Sequence, residues 1–160
     1  MSKKRNYIVY NRIIKLYEIF IGGNYMYLSL LREDEKNLFL GLAYKVSNID
    51  GDFGDMEKLM IDSYCEEMKI INNIEFYNEC HIEEIEKSIV EKCDMKTKKI
   101  IIFEIIGLAT SDGKYDVEEK EYISKLAEKF MIESGYINKC ENIINEYMSF
   151  QNKINMLVIG

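Results

Sequence analysis

Carboxylates stand at a fixed interval beyond two Asp-Gly dipeptides. Asp50-Gly51 is followed by Glu57, and Asp112-Gly113 by Glu119, so each Glu lies seven residues past its Asp. Asp52 adds charge to the first group and Asp116 to the second. Hard oxygen donors gathered in this way suit a divalent cation such as calcium or magnesium. The same residues suit helix capping. Asp116-x-x-Glu119 has capping-box spacing, with Asp116 at the N-cap and Glu119 reaching back to its backbone N–H. In the first group Gly54 takes the N-cap place, which makes a poorer box and, with Asp52 and Asp55 nearby, a richer cation site. Both readings stand at this level. The candidate metal ligands are Asp50, Asp52, Glu57, Asp112, Asp116 and Glu119.

Other chemistry finds no residues to carry it. An EF-hand loop with Gly51 at its sixth position would begin at Val46, and the second copy would begin at Leu108, where a ligating Asp is required. No phosphate-binding glycine loop and no nucleophile elbow occurs. His81-Ile82-Glu83 has the H-x-E of zinc deaminases without the accompanying P-C-x-x-C. His81 is the one histidine in the chain, and its neighbour Cys80 cannot face it from the adjacent position of a helix or strand. The expectation is a protein without catalytic residues and with no certain cofactor, the divalent cation being the one candidate.

The acidic groups need helices to position them. Apolar residues recur at helical spacing over 7–21, 34–49, 55–69, 82–93, 94–111, 116–132 and 138–158, and 74–81 reads as a short helix or loop. Gly135 is placed at the end of the sixth of these helices. No stretch alternates with period two. The expected fold is all-α, of about seven helices, a single domain over 1–160 with a basic helical arm at 1–22. Shifting the sequence by 62 residues lays Asp50-Gly51 on Asp112-Gly113, Phe53 on Tyr115, Glu57 on Glu119, Lys58 on Lys120 and Ile61 on Ile123. Such a repeat predicts two pseudo-symmetric helix-turn-helix hairpins with Asp-Gly turns. Counting back four from Ile61 and Ile123 puts Glu57 and Glu119 on apolar stripes. Each turn is therefore expected to aim an Asp and a Glu at one inner crevice.

Composition narrows the class. The 48% apolar and 31% charged residues exclude a disordered chain, and the absence of proline favours helices with short connections. The first fifteen residues hold Lys3, Lys4, Arg5, Arg12 and Lys15 and no acid, so the remainder is more acidic than the overall −7. An acidic body argues against nucleic acid, while the basic head could make a peripheral membrane contact. Cys65, Cys80, Cys93 and Cys140 form no C-x-x-C pair, and they read as reduced, largely buried thiols of a cytoplasmic protein.

Ala109-Thr110-Ser111-Asp112-Gly113 followed by Glu119 resembles the tellurite-resistance TerB-like domain. Ser47-Asn48-Ile49-Asp50-Gly51 followed by Glu57 matches more loosely. The resemblance spans about 34–132. It implies an all-helical fold with internal pseudo-symmetry and acidic clusters that bind divalent metal. It also implies a non-enzymatic role in stress response, as part of membrane-associated complexes or as a scaffold with a protein partner. The alternative is a purely structural protein-interaction domain with no metal site.

Overall fold

The computed structural model describes residues 27–49, 51, 53–111 and 115–160, with the side chains of Ile74 and Phe76 excepted. The basic arm at 1–22 lies outside the described residues, as do Asp50, Asp52, Asp112 and Gly113. A 3-10 turn, Tyr27–Leu30, opens the described chain. Seven helices follow: α1 Glu33–Val46, α2 Asp55–Met68, α3 Ile74–Glu79, α4 Ile82–Lys92, α5 Met95–Ala109, α6 Val117–Lys129 and α7 Tyr136–Val158. There is no strand among the described residues, as the lack of period-two alternation predicts.

Two helices form the centre. α1 packs against α2, α3, α4 and α5, and α5 packs against α1, α2, α6 and α7. Their surroundings explain their composition. The stripe Phe39, Leu42, Ala43 and Val46 is buried in α1, but so is Leu40. In α5, Ile100, Ile102 and Ile106 are buried beside the predicted Ile101, Ile105, Leu108 and Ala109. A helix covered by neighbours on several sides is apolar nearly all round. Each fully buried Ile contributes about 1.5–3 kcal/mol by leaving water. α4 is the contrast, with Ile85 and Ile89 buried and Lys87 and Glu91 outward.

Local signals set most boundaries. Asp94 caps α5, its Oδ1 accepting from Thr97 N–H at 2.7 Å. Asp116 and Gly54 are the N-caps of α6 and α2, as the spacing predicts. The ambiguous stretch after Asn73 forms a short helix, α3. Gly135 plays a different part from the expected one. α6 closes earlier, with Met131 in the left-handed region at φ 59° and Ile132 N–H donating to the Ala127 carbonyl at 3.0 Å. Gly135, at φ 86°, is instead the N-cap from which α7 starts. None of the four cysteines forms a disulfide among the described residues, with Cys65, Cys93 and Cys140 buried and Cys80 partly so.

Candidate functional site

The two acidic turns are built alike where they are described. Before the first, the Asn48 side chain donates to the Tyr44 carbonyl at 2.8 Å. Before the second, Thr110 Oγ1 donates to the Ile106 carbonyl at 2.9 Å. Both bonds reach back four residues and tie off the incoming helix end. Gly51 adopts φ 77°, a conformation that suits glycine, and its N–H donates to Asn48 O at 3.1 Å. After each turn an aromatic ring sits beneath a lysine. Lys58 Nζ is 5.5 Å from the Phe53 ring centre, and Lys120 Nζ is 4.8 Å from that of Tyr115. Burial first, and then the neighbouring Glu141 carboxylate, push the Tyr115 phenol up.

The predicted glutamates fold back over their own helix starts. Glu57 Oε2 accepts from Gly54 N–H at 2.7 Å. Glu119 Oε2 accepts from Asp116 N–H at 3.1 Å, and Asp116 Oδ1 accepts from Glu119 N–H at 2.9 Å. The second start is therefore a complete reciprocal box, while glycine leaves the first with one arm. Glu119 is buried, as its place on the Ile123 stripe predicts, and Glu57 is half-buried. The structure thus brings Asp116 and Glu119 together and turns Glu57 toward its turn. The Asp50, Asp52 and Asp112 contributions lie outside the described residues.

Each turn also holds a hydroxyl that lacks a hydrogen-bond partner. Ser47 Oγ and Ser111 Oγ are both buried and unpartnered among the described residues. A buried hydroxyl without a partner costs about 1–3 kcal/mol, so these two atoms need an occupant or a reason. Oxygen donors of this kind fit a hard cation in chemistry. Among the described residues, however, no group of three or more His, Cys, Asp or Glu side chains is arranged to hold a metal ion. The caps themselves should be measurable. Asp116→Ala and Glu119→Ala are each expected to cost about 0.5–2 kcal/mol in denaturant unfolding without metal. Glu119→Gln, which can still accept from Asp116 N–H, should cost little.

Three further carboxylates, none of them singled out from the sequence, are more deeply buried. Glu35 caps α1 from within, its Oε2 accepting Arg32 N–H at 2.9 Å and its Oε1 accepting Thr97 Oγ1–H at 3.2 Å. Glu86 on α4 accepts from the Tyr122 hydroxyl at 2.6 Å and pairs with Lys129, joining α4 to α6. Glu104 is 5% exposed in the middle of α5, and its Oε1 has no hydrogen-bond partner among the described residues. The signal for Glu104 was present in the sequence, as one acid inside the apolar run from Ile100 to Ala109.

This all-α arrangement is similar to that of a solved tellurite resistance protein. The likeness is to the crystal structure of a tellurite resistance protein from Nostoc punctiforme, with a TM-score of 0.59 and 19% identity, over 80% of this chain and 82% of that one. At that identity the shared property is the fold. No protein-family model matches the chain, and no curated protein matches it.

Proposed function

We propose that the protein is a non-enzymatic helical module of the TerB-like kind. It acts as a scaffold in stress response, and a hard divalent cation such as calcium or magnesium binds at its acidic turns. The observation that carries the cation reading is the pair of buried, unpartnered hydroxyls, Ser47 Oγ and Ser111 Oγ, in turns whose Glu57 and Glu119 fold back on the helix start. Glu57 and Glu119 would supply carboxylate oxygen, with Asp116 beside them and Asp50, Asp52 and Asp112 from the turns. The cation would supply positive charge to an acidic body and lock each turn.

Support for a non-catalytic role comes from the thiols and the histidine. Burial, first of all, pushes Cys65 and Cys93 up to about 11, so neither is a thiolate nucleophile near neutral pH. His81 is exposed at the start of α4. A groove of about 310 Å³ between α1, α3 and α4 has Asp34, Asn37, Tyr77, Cys80, Ser88 and Lys92 in its lining and no histidine. No helix among the described residues is long and apolar enough to cross a membrane.

The reciprocal box of Asp116 and Glu119 favours a second reading, in which the turns are caps alone. Melting curves with and without Ca²⁺, Mg²⁺, Mn²⁺ and Zn²⁺ separate the two. A bound cation raises the melting temperature with the logarithm of its concentration, and Glu57→Gln should weaken that response while leaving the metal-free melt nearly unchanged. An unchanged melting temperature at millimolar metal leaves the caps as the whole function of these residues.

A further inference from the structure

We propose that the outer half of α7 is a homodimer surface on which a second copy of the chain packs its own α7 antiparallel. Cys140, Ile143, Tyr147, Phe150, Ile154 and Leu157 follow one another at intervals of three and four, the spacing of a helix-to-helix seam. At its start this seam docks on the body. Cys140 is buried, and the Tyr136 hydroxyl donates to the Lys99 carbonyl on α5 at 2.9 Å. Further along, the same stripe runs out into solvent. Ile143, Phe150 and Leu157 are 58%, 50% and 86% exposed, while Tyr147 and Ile154 are half-buried at its edge. A row of large apolar side chains repeated every second turn and left open is the signature of a contact surface.

Charge selects the occupant. From Ile143 to Val158 the charged residues are Glu146 and Lys153, of opposite sign and one heptad apart, and neither forms an ion pair among the described residues. An interfacial membrane helix carries a rim of Lys and Arg, and a single lysine does not make one. In an antiparallel pair centred on Phe150, Ile143 falls beside the partner subunit's Leu157. Glu146 falls beside the partner subunit's Lys153, and the symmetric pair forms on the other side. A parallel pair would set Glu146 beside the partner subunit's Gln151 and leave both charges unpaired across the seam. Flanking charges of this kind fix partner and direction in paired helices. The sixteen residues from Ile143 to Val158 give roughly 24 Å of helix over which the seam can close.

Sedimentation equilibrium of the full chain at tens of micromolar tests this. The expected mass is near twice 18.9 kDa. Phe150→Asp should return the single mass, and because Phe150 is half exposed that variant should keep its helical circular dichroism. Glu146→Lys should weaken dimerisation by about tenfold, and adding Lys153→Glu to it should restore most of the loss. A chain that stays at 18.9 kDa, or one that instead binds lipid vesicles as a monomer through Phe150, overturns the proposal. So does a dimer indifferent to Phe150→Asp, or one that the double charge exchange fails to restore.

Discussion

Raising the pH from about 5 to about 8 is expected to cost the native chain a few kcal/mol of stability, most of which Glu104→Gln should abolish. The carboxyl of Glu104 is buried in α5 with Oε1 unpartnered among the described residues, and burial, followed by the charge of Glu67, raises it from the ordinary 4.5 to about 8. The folded state therefore holds a proton that the unfolded chain releases above 4.5. Across that window the folded state binds more protons, so stability falls as pH rises and levels off once Glu104 has ionised. Each pH unit between those two values corresponds to about 1.4 kcal/mol, which makes this one group a leading source of pH dependence. Tyr136 faces it from α7 and Glu67 from α2. Glu67 also holds the 3-10 turn, its Oε1 accepting from Leu28 N–H at 3.0 Å and Ser29 N–H at 3.3 Å. Burial raises Glu67 as well, against those two hydrogen bonds, and so acts in the same direction. Urea unfolding at pH 5, 6.5 and 8 should show wild type and Glu104→Gln close together at the lowest pH and the variant more stable at the highest. Equal slopes for the two proteins would show that Glu104 does not carry the effect. Glu67→Gln should keep the turn's acceptor and move the fall in stability to lower pH.

The helices were legible because their signals are local. Asp94 and Asp116 announce helix starts by residue type, and the apolar spacing of 116–132 reads directly as the buried face of α6. Gly135 misled for the same reason. Glycine suits a left-handed residue at either end of a helix, and only packing decided that Met131 would take the end of α6 and Gly135 the start of α7. The inward reach of Glu119 followed from periodicity, since four residues before a core isoleucine is the same face. The tertiary carboxylates were not readable in this way. Nothing near Glu35 in sequence names Thr97 as its partner, 62 residues on, because the pairing exists only once α1 crosses α5. Glu86 likewise meets Tyr122 and Lys129 across the packing of α4 on α6. The 3-10 turn at Tyr27–Leu30 has no strong propensity of its own and is held by a carboxylate from α2.

Removing Glu35 should be the most damaging single polar change at the centre of the fold. Its side chain is 2% exposed, and each oxygen is used: Oε2 by Arg32 N–H, Oε1 by Thr97 Oγ1 and by Arg32 Nη1 at 3.1 Å. Glu35→Ala leaves the first N–H of α1 without its acceptor, leaves Thr97 without one of its partners and opens a void between α1 and α5. A lost cap costs about 1 kcal/mol, and stranding a buried polar group adds about 1–3. The ion pair adds little, since the Arg32 side chain is 58% exposed and water screens it. The expected total is about 2–4 kcal/mol. Glu35→Gln keeps one of the two acceptor oxygens and the volume and should cost about half as much. A double-mutant cycle with Thr97→Val isolates the link between the two central helices. If the Glu35–Thr97 hydrogen bond couples them, the two substitutions together should cost less than the sum of each alone by about 0.5–1.5 kcal/mol. Simple additivity would mean that Glu35 acts on α1 alone, as a cap, and that apolar packing between Phe39, Ile101 and their neighbours holds α1 to α5 without it.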